Sequence, residues 1–147
     1  LDKNIVAEST FGGFALNSSN LLNKNNITIK KYDGTRPRRI ITSAEPLHWE
    51  VYFPEEGTYT IDVSAHNPDS NSLAIEIKVG ESLLKGSLSP DGRVVVEPNE
   101  NNYTDEFTDR NLGEITIKTP GKSKAEFRVT DNKELWLNRI WIEKKKP

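Results

Sequence analysis

Cysteine and methionine are both missing from this chain of 147 residues, and histidine occurs only twice. Without thiols there can be no disulfide, no thiolate nucleophile and no cysteine zinc site, although the lack names no compartment. Methionine is missing even at position 1. The chain is therefore expected to be a segment of a longer protein, with residues 1–147 forming a single module that serves a partner domain. No apolar run approaches the ~18 residues that a membrane span needs, which argues against membrane insertion. The opening Leu1-Asp2-Lys3-Asn4 is no signal peptide. Twenty cationic side chains oppose 22 anionic ones for a net charge of −2, so nothing in the global field favours nucleic acid.

Catalytic signatures are lacking too. There is no Gly-x-Ser-x-Gly, His-Glu-x-x-His, Walker loop or dinucleotide fingerprint. His48 and His66 belong to no metal or nucleophile pattern. The paired carboxylates Glu55-Glu56 and Asp105-Glu106 stand in turns, away from the burial that tunes a catalytic acid. A non-catalytic domain is the expectation.

What the chain does have is period-two alternation. Trp49, Val51 and Phe53 share one face of a strand; after Pro54-Glu55-Glu56-Gly57, the residues Tyr59, Ile61, Val63 and Ala65 share the next. Such a pattern means strands with one buried face, and Pro-x-x-Gly supplies the fixed and the free φ of a hairpin connection. Leu73, Ile75, Ile77 and Val79 repeat the alternation, and Gly80-Glu81 turns the chain into Ser82 to Ser87. Further strands are expected at Ile27 to Tyr32, Arg38 to Ser43, Arg93 to Glu97, Gly113 to Lys118, Lys124 to Val129 and Leu135 to Glu143. The first third is the least regular, with Asn- and Ser-rich turns around Leu21-Leu22. Helical periodicity nowhere exceeds a turn or two. An all-β chain of half-buried antiparallel strands must cover its apolar faces with one another, so a two-sheet antiparallel β-sandwich is the simplest closed solution.

The series Trp49-Glu50-Val51-Tyr52-Phe53 with Gly57-Thr58-Tyr59, then Ile75 to Leu84, Tyr103 to Phe107, Leu112 to Ile117, Phe127 to Val129 and Leu137-Asn138-Arg139-Ile140 resembles a known group. It is similar to the galactose-binding-like jelly rolls of family 6 and family 35 carbohydrate-binding modules, and closer still to the accessory modules of bacterial α-L-fucosidases, sulfatases and related glycan-degrading enzymes. The resemblance covers roughly Leu47 to Glu143; Leu1 to Ser43 departs from it. It implies a secreted bacterial protein, extracellular, periplasmic or at the cell surface, that binds glycan beside a catalytic domain of the same polypeptide. Modules of this kind often hold a structural calcium, to which Glu8, Asp62 or Asp131 could contribute oxygens, although no spacing here resembles a dedicated calcium loop. No other cofactor is implied.

A sugar site needs an aromatic platform for the apolar ring face and amide, carboxylate or guanidinium groups for the hydroxyl rim. Tyr103 stands in Pro98 to Glu106, a loop too polar to need an aromatic for packing. The resemblance also puts a stacking aromatic there; the alternative is a ring folded over the sandwich edge. In the last strand, plain alternation sends Trp136, Asn138, Ile140 and Ile142 one way and Leu137, Arg139 and Trp141 the other. Trp136 is a platform or a lid on the core. Asn138 binds a sugar hydroxyl, as the resemblance suggests, or ties down a neighbouring loop. Trp141 contacts ligand or another domain, or packs under a charged side chain. Arg38, with Arg36, Arg39, Lys30 and Lys31, forms a cationic segment suited to sulfate or carboxylate groups, or simply a charged strand edge.

Two functions follow from these residues. One is a glycan-binding module that raises the effective concentration of an attached hydrolase at its substrate. The other is a structural accessory domain. Tyr103 and Trp136 clustered at one exposed end with Asn138 between them would favour the first, and a flat apolar patch formed by Trp141 and its neighbours would favour the second.

Overall fold

The computed structural model describes residues 4–32, 38–91 and 107–146, with backbone alone for Lys31, Tyr32, Arg38 and Ser43. Among these residues the chain forms two sheets. One contains, in spatial order, β1 (Ile5–Val6), β5 (Leu47–Phe53), β10 (Gly121–Val129), β7 (Leu73–Val79) and β8 (Ser82–Leu88). The other contains β3 (Thr28–Tyr32), β4 (Arg38–Ser43), β11 (Leu135–Lys144), β6 (Gly57–His66) and β9 (Thr108–Ile117), while β2 (Gly13–Leu16) pairs with the C-terminal half of β11. Every pairing is antiparallel except β1 with β5. The only helical piece among the described residues is a 3-10 turn at Lys24–Asn26. This is the two-sheet antiparallel sandwich that the alternation predicts.

The buried faces are those expected. Trp49, Val51 and Phe53 of β5, Tyr59, Ile61, Val63 and Ala65 of β6, and Leu73, Ile75, Ile77 and Val79 of β7 all lie in one core. The link between β5 and β6 is different. Rather than a hairpin, Pro54–Glu56 carries the chain from the five-stranded sheet to the six-stranded one, so the two apolar faces meet across the core. Phe53 and Tyr59 touch edge to face with ring centroids 5.0 Å apart, and Phe14 of β2 closes the trio at 5.0 Å from Phe53. Such a pair contributes about 0.5–1.5 kcal/mol beyond its buried area. The Tyr59 hydroxyl donates to the Glu55 carbonyl at 2.6 Å, which fixes the corner.

The irregular first third does more than expected. Phe14, Leu16 and Leu21 are fully buried, whereas Leu22 stays exposed. Asn17 accepts the Trp49 indole N–H on its backbone carbonyl at 2.9 Å, so this turn satisfies the polar atom of the core's largest side chain. The strand expected at Gly113 begins earlier, at Thr108. The one expected at Arg93 to Glu97 lies outside the described residues.

Trp49 is 1% exposed on β5, an inner strand of the five-stranded sheet. Trp49→Ala should cost ~3–5 kcal/mol, since it deletes a large buried ring and strands the Asn17 carbonyl. Urea unfolding followed by circular dichroism checks this; an unchanged midpoint would contradict the assignment of faces.

Candidate functional site

The last strand departs from plain alternation in a way that decides the site. Against β6, Trp136 pairs with His66 and Leu137 with Ala65, but Arg139 pairs with Ser64 and Trp141 with Asp62. Asn138 is thus the extra residue of a β-bulge, which reverses the side-chain phase. Leu135, Leu137, Ile140 and Ile142 all enter the core. Trp136, Arg139 and Trp141 consequently share the outer face, which corrects the expectation that Trp136 and Trp141 point opposite ways. Asn138 itself is half-buried, and its amide donates to the Ser64 hydroxyl at 3.3 Å. In this structure it therefore braces the neighbouring strand β6 rather than a loop.

Trp141 lies on the backbone of β2. A Cβ placed on Gly13 would stand 1.9 Å from the indole, so only glycine allows this seat. The Arg139 guanidinium rests over the same ring, 5.5 Å from its centroid. Trp141, Arg139, Asp62, Ser64 and Asp109 line a shallow recess of about 130 Å³. Its surroundings are polar rather than a flat apolar patch. The Asp62 carboxylate accepts from the Asn111 amide at 2.9 Å, while Arg139 has no carboxylate partner among the described residues. Sites that enclose a drug-sized ligand measure ≈300–1,000 Å³, so this recess fits one edge of a ligand lying across the surface.

Trp136 occupies the other end of the same face. It packs with Phe107 on the buried Ile40, a small cluster separate from the main core. Its ring lies 5.1 Å from that of His66, the Lys30 ammonium stands 5.3 Å above it, and its N–H donates to Glu134 at 2.7 Å. The ring is half-buried and rests on a fixed floor. His66 is fully buried, with Nδ1 3.8 Å from Asp91. Asp91 accepts from the Asn67 backbone N–H at 2.6 Å, the Thr108 hydroxyl at 2.7 Å and Arg110 at 2.8 Å. That carboxylate holds the two chain ends bordering residues 92–106 beside the Trp136 cluster.

The remaining expected residues fare differently. Tyr103 lies outside the described residues, as does the side chain of Arg38, whose backbone pairs with Tyr32. Glu8 and Asp131 do not come together. The field of Glu8 reaches Tyr59, opposite Lys144, whereas Asp131 precedes Leu135, so ~30 Å of strand lies between their ends of β11. Asp62 belongs to the recess instead. Among the described residues no group of three or more His, Asp or Glu side chains is placed to hold a metal. Alternation missed Ser64, Asp109 and Gly13 as part of the site, since their roles depend on which strands adjoin β11.

Two substitutions check this geometry. Gly13→Ala should expel the Trp141 indole from its seat and alter the near-ultraviolet circular dichroism while most of the fold survives. Asp91→Ala should lower stability by about 3 kcal/mol, because it leaves the mostly buried Arg110 without its charge partner; a urea midpoint within error of the parent would show that the cluster is not a staple.

No family model and no curated protein sequence matches this chain. Solved structures do match in shape. A family 35 carbohydrate-binding module from Clostridium thermocellum aligns with a TM-score of 0.66 at 9% identity, over 90% of this chain and 98% of that one. The Podospora anserina GH26-CBM35 β-(1,4)-mannanase aligns at 0.65 and 11% identity, over 92% of this chain but only 28% of its own length. The mosquito-larvicidal Cry4Aa toxin of Bacillus thuringiensis aligns at 0.66 and 13% identity, over 99% of this chain and 25% of the toxin. At such low identity these likenesses establish the fold alone, a β-sandwich found in carbohydrate-binding modules and in part of the toxin alike.

Proposed function

We propose that this chain is the non-catalytic carbohydrate-binding module of a secreted glycan-degrading enzyme, a fucosidase-like glycoside hydrolase in the first instance. The observation that carries the reading is the shared outer face of β11, where two tryptophans flank an arginine above a recess of carboxylate and hydroxyl groups. Indole faces suit the C–H side of a pyranose, and Arg139, Asp62, Asp109 and Ser64 offer donors and acceptors for its hydroxyls. The matched module covers its whole length with this fold, which supports the same reading.

The alternative, a domain that only packs against a catalytic partner, finds less support on this face. Docking a protein there would bury Arg139 and Asp109, and each would cost several kcal/mol unless the partner paired it. A sugar hydroxyl answers both charges.

Affinity electrophoresis of the domain in gels containing different polysaccharides tests the proposal. Retardation by at least one glycan is expected, with loss of it in Trp141→Ala and a weaker effect in Arg139→Ala. Circular dichroism should show all variants folded, since neither side chain enters the core. Tyr103→Ala is the companion variant: loss of binding there with none in Trp141→Ala would move the site to the 98–111 segment. No retardation by any glycan would favour the packing domain.

A further inference from the structure

We infer, resting on the carbohydrate-binding reading, that the ligand is the interior of a linear polysaccharide chain lying lengthwise along β11, rather than a single terminal sugar. The geometry comes from the register. Trp136 stands opposite His66, Arg139 opposite Ser64 and Trp141 opposite Asp62. The two indoles are therefore four strand positions apart on β6, or about 13 Å, with Arg139 midway. That interval is longer than one pyranose ring, so separate rings of a linear chain would sit on the two tryptophans while Arg139 meets a ring between them.

Each element of this track is held from beneath. Trp141 rests on Gly13. Trp136 rests on Ile40 and Phe107 and is tied through its N–H to Glu134. The rings are thus set at a fixed interval before any ligand arrives, which spares the entropy of ordering them. Both are capped by exposed cationic side chains, Lys30 over Trp136 and Arg139 over Trp141. Such flexible caps can swing aside and donate to hydroxyls along the chain. A single sugar would use one platform and leave the other covered. Only an extended chain gains from both.

The arrangement also separates recognition from any exo-acting chemistry of an attached enzyme. The module would hold the polymer backbone, and the catalytic domain would meet whichever end or branch lies within its reach.

The test is the dependence of affinity on chain length. Isothermal titration of the intact domain against linear gluco-, manno-, xylo- and galacto-oligosaccharides, from monosaccharide to hexasaccharide, should show for the recognised series no measurable monosaccharide binding. Affinity should rise roughly tenfold between disaccharide and tetrasaccharide and then level off. Trp136→Ala should reduce the tetrasaccharide to the affinity of the disaccharide while leaving the disaccharide unchanged. A monosaccharide that binds the unmodified domain as tightly as the hexasaccharide would overturn the inference and leave carbohydrate binding standing. Failure of the domain to bind any member of the panel or its parent polysaccharide would overturn both.

Discussion

The one-residue slip at Asn138 governs more of this molecule than any other feature. β11 lies in the interior of the six-stranded sheet, paired with β6 along one side and with β4 and β2 along the other. Its face assignment therefore propagates to three neighbours. Leu135 and Leu137 must enter the core in the first half, and Ile140 and Ile142 in the second, yet these pairs differ in parity. A regular strand cannot bury both pairs. The bulge resolves the conflict at the expense of one unpaired residue, and Asn138 offsets part of that expense by bonding to Ser64. The same slip brings Trp136 and Trp141 onto one surface. Core packing and the candidate binding face are thus consequences of a single backbone irregularity.

That irregularity left a trace in the sequence. Apolar residues occupy odd positions at 135 and 137 and even ones at 140 and 142, with the polar pair Asn138-Arg139 between them. A change of parity across two polar residues is the signature of a bulge, and simple alternation read through it. Where alternation is unbroken, as in β5, β6 and β7, faces were legible and the structure agrees. Sheet membership was not legible at Pro54–Gly57, because the same turn chemistry serves a hairpin and a corner between sheets. What distinguishes them is tertiary: Phe53 and Tyr59 gain more by meeting across the core than by lying side by side on one surface.

The recess at Trp141 was illegible for a related reason. Gly13, Asp62, Ser64 and Asp109 come from three strands distant in sequence, and nothing local in any of them announces a site. Gly13 reads as a turn residue beside Gly12. Its importance lies in what it omits, a Cβ that would collide with an indole more than a hundred residues away. Gly13 opens β2, and a glycine there gives up a side chain that could pack, in exchange for the close approach of the indole.

Placing a binding face on paired strands has a physical consequence that a loop site would not share. Strand positions are fixed by ladders on both sides, so the interval between Trp136 and Trp141 cannot drift as loop residues do. A fixed interval selects ligands by their repeat length as well as by their chemistry. Rigid spacing also removes the ordering cost that limits weak, shallow sites, which the proposed binding of a flexible chain at a recess of about 130 Å³ would require. Arg139 adds an exposed donor to this fixed pair, and a guanidinium, more weakly hydrated than an ammonium, would give up its water to a sugar hydroxyl at small cost.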